Sequence, residues 1–285
     1  MKKIRKAAVI GGGTMGNGIA HVFSMHGITT HLVERNLELA EKALETISGN
    51  LDRMVGKEKI DATQKEETLD RIVTFTDIVK AVDEVELVVE AVSENFDLKK
   101  EVFTEIDRAA PAEAILASNT SSISITKLAA ATTRADKFIG MHFFNPVPVM
   151  KLVEVVKGLQ TSAATVAAIE KTARGLDKNP VVVSDYPGFV SNRVLMPMIN
   201  EAIYCVYEGV AEPEEIDQVM KLGMAHPMGP LRLADFIGLD VCLDILHVLH
   251  EGFKDPKYRP CPLLVKMVEA GRLGDKTGEG FYSYD

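Results

Sequence analysis

Of seven histidines in the chain, His142 is the one set in an apolar stretch that runs into a proline-punctuated loop, His142-Phe143-Phe144-Asn145-Pro146. An imidazole at such a strand end is suited to exchanging a proton near neutral pH. Glu154 follows inside another apolar run, Leu152–Val156. A carboxylate there is unfavourable unless paired, and His142 is a partner that would account for both residues. Ser118-Asn119-Thr120-Ser121-Ser122 follows the apolar stretch Ala114–Ala117. Open α/β sheets do their chemistry beyond the carboxyl ends of strands, where both segments fall. Each group also has a plain structural alternative. His142 could be a core histidine with its hydrogen bonds met, and Glu154 a sheet-edge carboxylate facing water. Ser121 or Ser122 could cap a helix over Ile123–Ala130.

The opening Gly11-Gly12-Gly13-Thr14-Met15-Gly16 fits G-x-G-x-x-G, with the short apolar strand Ala7–Ile10 before it. A helix is expected from Thr14 to about Met25, with Gly27 as its stop. Gly11 permits the tight turn, Gly13 lets the backbone approach a pyrophosphate, and Gly16 lets helix and strand pack closely. The pyrophosphate would rest on the helix N-terminus, at Thr14 and Met15, where unpaired N–H groups favour negative charge. Glu34 closes the next strand, Thr29–Val33, at the separation expected of a ribose-binding acid. A carboxylate there pairs with a 2′-hydroxyl and repels a 2′-phosphate, so NAD is expected. Arg35 beside it keeps NADP open.

These residues need a sheet to hold them. A polar, charged helical region fills residues 37 to 70. Strand-like runs then recur at Val85–Val89, Ala114–Ala117, Phe138–Phe143, Leu152–Val156 and Val181–Val183, with helices such as Leu98–Ala109 between the first of them. That alternation predicts an α/β, Rossmann-type, doubly wound and largely parallel sheet. From Pro187 onward apolar periodicity in Val190–Tyr207, Pro213–Leu222 and Leu239–Leu249 predicts an all-α C-terminal domain. The expected domains are residues 1–185 and 186–285. Pro197 lies inside the first of those helices, where a kink is expected and not an end.

Of 285 residues, 46% are hydrophobic and 26% charged, a globular mix that excludes a disordered chain. No apolar run is long enough to cross a bilayer, and the basic Met1–Lys6 runs straight into the first core strand. Neither a secretory nor a transit segment is expected. The scattered Cys205, Cys242 and Cys261 then read as buried free thiols of a cytoplasmic protein. The net charge of −9 argues against a nucleic-acid surface.

Asp185-Tyr186-Pro187-Gly188-Phe189-Val190-Ser191-Asn192-Arg193 resembles the signature of the L-3-hydroxyacyl-CoA dehydrogenase family. Ser118–Ser122, Met141–Glu154 and the C-terminal Gly278–Tyr282 are similar to the same family in the same order, so the resemblance spans essentially the whole chain. Ala225–Pro230 and the short length resemble most the bacterial members that act on 3-hydroxybutyryl-CoA. The resemblance implies NAD-dependent, reversible oxidation of a short-chain (S)-3-hydroxyacyl-CoA to the 3-oxoacyl-CoA. In that reading His142 takes the 3-hydroxyl proton and Glu154 orients the imidazole. Ser121 and Asn192 hydrogen-bond the reacting oxygens and the thioester. Asn145 supports that arrangement, and Asn119, Asn145, Glu94 and Lys99 match residues beside the cofactor. Asn192 begins the second domain, so the site is expected in the interdomain cleft.

Arg53 and Lys57, with Lys59, form a basic cluster in an acidic chain. They are either a solvated helix face or, as the resemblance implies, contacts to the phosphates of CoA. Gly274-Asp275-Lys276-Thr277-Gly278 departs from the more basic loop of the family, so no phosphate role is expected of it. His247 and His250 sit three apart on a helix but lack a third ligand, and no metal is expected. The apolar C-terminal helices, with Met196, Met198 and Met220, are too rich to be covered by one copy, which predicts a homodimer through that domain. Two other readings are a dehydrogenase of a free hydroxy acid and a non-catalytic protein of the same fold.

Overall fold

A computed structural model describes residues 4–284. Met1–Lys3 of the basic N-terminal stretch therefore lie outside the described residues. The chain divides into two compact units, Met1–Asp185 and Tyr186–Asp285.

The first unit begins with β1 (Lys6–Ile10), α1 (Thr14–Met25) and β2 (Thr29–Val33). There follow α2 (Leu37–Gly56), α3 (Ala62–Asp70), β3 (Ile72–Phe75), α4 (Ile78–Val82), β4 (Leu87–Glu90) and α5 (Phe96–Ala109). The unit closes with β5 (Ile115–Ser118), α6 (Ile125–Ala129), β6 (Phe138–Phe143), β7 (Leu152–Lys157), α7 (Ala163–Gly175) and β8 (Asn179–Ser184). The eight strands form one sheet in the order β3-β2-β1-β4-β5-β6-β7-β8. Every neighbouring pair is parallel except β6 with β7. This is a Rossmann-type sheet whose order reverses between β1 and β4.

Its central strands are continuous apolar runs because helices cover both faces of a parallel sheet. Val9, Leu87, Val89, Ile139 and Val155 are fully buried in its core. Helix α2 adds Ala43, Ile47 and Leu51, spaced four apart on one face, while the rest of the helix is largely polar. The helical region expected over 37 to 70 is broken after Gly56. It restarts where Asp61 and Gln64 form a reciprocal capping box. The edge strand β3 was not foreseen; its four residues carry too short a pattern to separate from the preceding helix.

The second unit is helical: α8 (Ser191–Tyr207), α9 (Pro213–Gln218), α10 (Pro230–Ile237), α11 (Leu239–Phe253) and α12 (Pro262–Glu269). Met196, Ile199, Leu231, Leu246 and Leu264 lie in its core. Helix α8 runs through Pro197 without ending. The sequence reading missed α10 and α12, although each opens on a proline at its first position. Cys242 and Cys261 are buried free thiols, whereas Cys205 is only partly buried, which corrects the expectation for that residue. Among the described residues no helix is long and apolar enough to cross a membrane.

Candidate active site

The carboxyl ends of β1 and β2 frame a cleft of about 480 Å³, lined by Gly12, Gly13, Thr14, Asn17 and Glu34 among others. Gly11 has φ +96°, and a Cβ there would meet the carbonyl oxygen of Ala91 at 2.8 Å. A Cβ on Gly16 would lie 1.7 Å from the carbonyl oxygen of Gly11. Any larger residue would drive α1 off β1, so both glycines are fixed by close packing. Gly13 caps α1 without a side chain, which leaves the first-turn N–H groups of Thr14 and Met15 to an anion. The Glu34 carboxylate accepts from the Gly12 N–H at 2.6 Å and so stands at the lip of this cleft. Exposed Arg35 follows it. A helix N-terminus beside an acid at the end of the second strand suits a dinucleotide with a free ribose hydroxyl.

His142, near the carboxyl end of β6, faces Glu154 across the antiparallel β6–β7 pair. Nδ1 of the imidazole lies 2.8 Å from a Glu154 carboxylate oxygen. Both are buried, at 7% and 2% exposure, which rules out the water-facing alternative for Glu154. A carboxylate acceptor fixes the proton on Nδ1 and the ring's orientation. The ring of Phe144 packs on the imidazole, with centroids 4.6 Å apart.

The polar loop after β5 is held by a chain of charges. Glu94 accepts at one oxygen from the backbone N–H groups of Ser121 and Ser122, from the Ser122 hydroxyl at 2.9 Å, and from the Thr120 hydroxyl. Its other oxygen pairs with Lys99 at 3.3 Å. Burial raises the Glu94 carboxyl, but the charge of Lys99 and the Thr120 and Ser122 bonds outweigh it and hold the group below the usual carboxylate range. Lys99 is itself 1% exposed and also donates to Glu90 at 2.6 Å, so its ammonium is enclosed between the two carboxylates. The Asn119 side chain accepts from the Phe143 N–H at 2.9 Å and ties the loop to β6. Asn145 is exposed beside the glycine cleft, which it lines.

Neither Ser121 nor Ser122 caps the following helix. The cap is Ser124, and Asp185 reinforces it by accepting from the Ser124 hydroxyl and from the N–H groups of Ile125 and Thr126. That acceptor arrives from 61 residues away, so no local pattern could choose among the serines. Arg53, Lys57 and Lys59 line a second cleft of about 450 Å³ together with Lys151 and Lys178. Lys178 is buried, and its ammonium donates to the carbonyls of Val147 and Met150 in the loop after His142.

In the second unit Asn192 lies in the first turn of α8, after Gly188 and Phe189, both at positive φ. Within Gly274–Gly278, Arg232 grips Asp275 in a two-pronged pair at 2.9 and 3.0 Å, and Lys276 pairs with Asp240. Both charges of that loop are thus spent within the unit. His247 and His250 lie on α11, and among the described residues no group of three or more His, Cys, Asp or Glu could hold a metal ion.

Sequence reasoning missed Glu90 and gave Ser118 no role of its own within Ser118–Ser122; they are the last residues of β4 and β5, both fully buried. The Glu90 carboxylate accepts from Lys99, from the Ser118 hydroxyl at 2.6 Å and from the Val92 N–H at 2.7 Å. The signal was present on α5, where Lys99 occupies an apolar-stripe position with Phe103 and Ile106. A lysine there requires a buried acid.

Residues 6–186 match the family model for the 3-hydroxyacyl-CoA dehydrogenase NAD binding domain, and residues 188–284 match that family's C-terminal domain. The chain is 53% identical over 283 residues to the probable 3-hydroxybutyryl-CoA dehydrogenase of Bacillus subtilis, covering 99% of this chain and 98% of the relative. It is 45% identical over 288 residues to human mitochondrial hydroxyacyl-coenzyme A dehydrogenase, covering 99% and 91%. The crystal structure of (S)-3-hydroxybutyryl-CoA dehydrogenase from Ralstonia eutropha superimposes with a TM-score of 0.97 at 51% identity, covering 99% of this chain and all of that one. With both units matched in order over nearly their whole length, the chain belongs to the 3-hydroxyacyl-CoA dehydrogenase family, and its first unit is that family's NAD-binding domain.

Proposed function

We propose that this enzyme interconverts a short-chain (S)-3-hydroxyacyl-CoA, with 3-hydroxybutyryl-CoA as the reference substrate, and its 3-oxoacyl-CoA. The observation that carries the reading is the buried His142–Glu154 pair at the same sheet edge as the dinucleotide cleft. Bound NAD+ supplies the hydride acceptor for C3. His142, with Nδ1 donating to Glu154, takes the 3-hydroxyl proton through Nε2, and the carboxylate stabilises the positive charge the ring acquires. Ser121 and Asn192 are assigned the hydrogen bonds to the reacting oxygens and the thioester. Glu34 is assigned the ribose hydroxyls, which favours NAD over NADP. Arg53 and Lys57 are assigned CoA phosphates, a role supported by the basic cleft they share with Lys151 and Lys178. A homodimer through the second unit is part of the proposal, supported by exposed Val194, Val210, Val219 and Leu222. A concentration-independent monomer mass would remove that part.

The test compares acetoacetyl-CoA with free acetoacetate as oxidants of NADH. Loss of NADH absorbance with the thioester alone is expected. Turnover of the free acid with equal kcat/KM would establish the hydroxy-acid alternative, and no turnover of either would overturn the assignment.

A further inference from the structure

Beneath the loop that carries Ser121, Glu90, Lys99 and Glu94 form one connected cluster at the carboxyl ends of β4 and β5. Each contact of the Glu90 carboxylate comes from a donor: the Lys99 ammonium, the Ser118 hydroxyl and the Val92 N–H. An acid surrounded only by donors is held in its ionised, acceptor-only form. Burial outweighs these donors and leaves the Glu90 carboxyl above its usual value, while each donor favours the ionised form. The single ammonium of Lys99 is therefore shared between two carboxylates, and the cluster carries one net negative charge. Holding Lys99 in place would need only one of them. Glu94 alone would neutralise it and secures Thr120, Ser121 and Ser122 directly; the Glu90 carboxylate reaches the loop only through Ser118, whose hydroxyl accepts from the Thr120 N–H, a contact that does not itself require a second full charge.

In a doubly wound sheet the first mononucleotide-binding half takes one end of the dinucleotide and the second half takes the other. Glu34 and the glycines belong to β1 and β2, the adenosine half. The ends of β4 and β5 then underlie the nicotinamide half. Nicotinamide is cationic in NAD+ and neutral in NADH, so a fixed charge at this place acts on the two forms differently.

We infer that Glu90 makes the Glu90–Lys99–Glu94 cluster net anionic so that the site binds the oxidised cofactor relatively more tightly, setting the balance of the reaction on the enzyme. Glu90 acts through space and through Lys99, and it is a positioning and charge-setting residue. For a unit charge on the order of 10 Å from the ring, at an effective dielectric constant of about 20, the preference changes roughly tenfold. For a two-electron couple that is about 30 mV.

The readout is the ratio of the NAD+ and NADH dissociation constants, with NADH measured by fluorescence and NAD+ by competition against it. Glu90→Gln removes the net charge and raises the ratio about tenfold. Glu90→Gln combined with Lys99→Met restores one net negative charge, and the ratio returns to within about twofold of the parent. Two results overturn the inference: an unchanged ratio in Glu90→Gln, including one reached by equal weakening of both forms, or a double variant that keeps the Glu90→Gln ratio. Glu90→Gln can turn its amide N–H toward the Lys99 ammonium, a donor against a donor in a buried site, and is the variant at risk of misfolding. The double variant has no such defect, and on its own a shifted ratio there refutes the charge account. The inference rests on the proposed cofactor placement. Failure of that placement shows as a parent protein that binds neither form, whereas failure of this inference leaves both constants measurable and their ratio unmoved.

Discussion

Acid should loosen the cofactor-binding unit through one histidine outside the proposed chemistry. His21 lies on α1, the helix whose N-terminus opens on the glycine cleft, and its side chain is 0% exposed. Among the described residues neither ring nitrogen has a hydrogen-bond partner. Burial, then the nearby charges of His26 and Lys178, pulls its pKa from 6.5 down to about 4. The folded protein therefore keeps His21 neutral where the unfolded chain has already bound a proton. In that window the unfolded state binds more protons, so stability rises with pH and falls as pH drops. The contribution is complete above about pH 6.5 and is lost progressively down to about pH 4. At about 1.4 kcal/mol per pH unit the whole loss is about 3 kcal/mol.

For a cooperative unit of this size, 3 kcal/mol corresponds to roughly 6–12 °C in Tm. The assay is calorimetry of the parent and of His21→Leu at a series of pH values from about 7 to about 4. The acid losses of carboxylates held low in the folded state, Glu94 and Asp107 among them, are common to both proteins and cancel in the difference. The parent should lose roughly 6–12 °C more than His21→Leu over that interval. Parallel loss of Tm in the two proteins would show that His21 finds a partner for its proton in the folded state, and the reasoning would fail.

Glu154→Gln keeps the shape beside His142 but removes the charge. It should lower kcat on the order of 10²-fold while the NADH dissociation constant stays within about twofold, and unchanged turnover in a steady-state assay would remove Glu154 from the mechanism. Glu34→Ala should weaken NADH about tenfold and NADPH far less, as read by fluorescence titration; equal weakening would separate Glu34 from the ribose. Asp185→Ala strips the shared cap from the start of α6 and should destabilise the first unit by about 1–2 kcal/mol, a fall in Tm of roughly 2–8 °C by calorimetry.

Local signals were legible wherever the chemistry depends on consecutive residues. The glycine turn is one such case, because Gly16 packs against the Gly11 carbonyl within a single turn, although Gly11 is also pressed by Ala91 from beyond β4. His142 and Glu154 could be matched because both interrupt apolar runs, so each raised the same question of a missing partner. Lys99, on the buried face of α5, poses the same question, which the sequence reading did not ask, and its partner Glu90 looks from sequence like an ordinary strand end. Burial of an acid depends on neighbours from other elements, here Lys99 of α5 and Ser118 of β5, that no short window contains. The same limit explains Ser124 and Asp185, where the deciding acceptor belongs to the far end of the unit. It also explains Lys178, whose acceptors are carbonyls of a loop about 30 residues earlier in the chain.

The single antiparallel pair in the sheet explains why the proposed acid/base pair is so close in the sequence. Strands β1, β2, β4, β5 and β6 all run the same way, so their carboxyl ends deliver the glycine turn, Glu34, Glu90, Ser118 and His142 to one edge. A seventh strand continuing that direction would begin at the opposite edge, and Glu154, third residue of β7, would lie there with it. Reversing β7 starts the strand beside the end of β6 and sets Glu154 directly opposite His142. The reversal also lets the connection be short: residues 144–151 suffice, where a parallel crossover needs a dozen or more. Strand β8 pairs parallel to β7, so Lys178, immediately before it, returns to the same edge and pins that connection through Val147 and Met150. The close spacing of His142 and Glu154 in the sequence is therefore a consequence of topology: a parallel neighbour could bring a carboxylate to this place only at its far end, as β4 brings Glu90 to Ser118, whereas a neighbour that turns back brings one near its start.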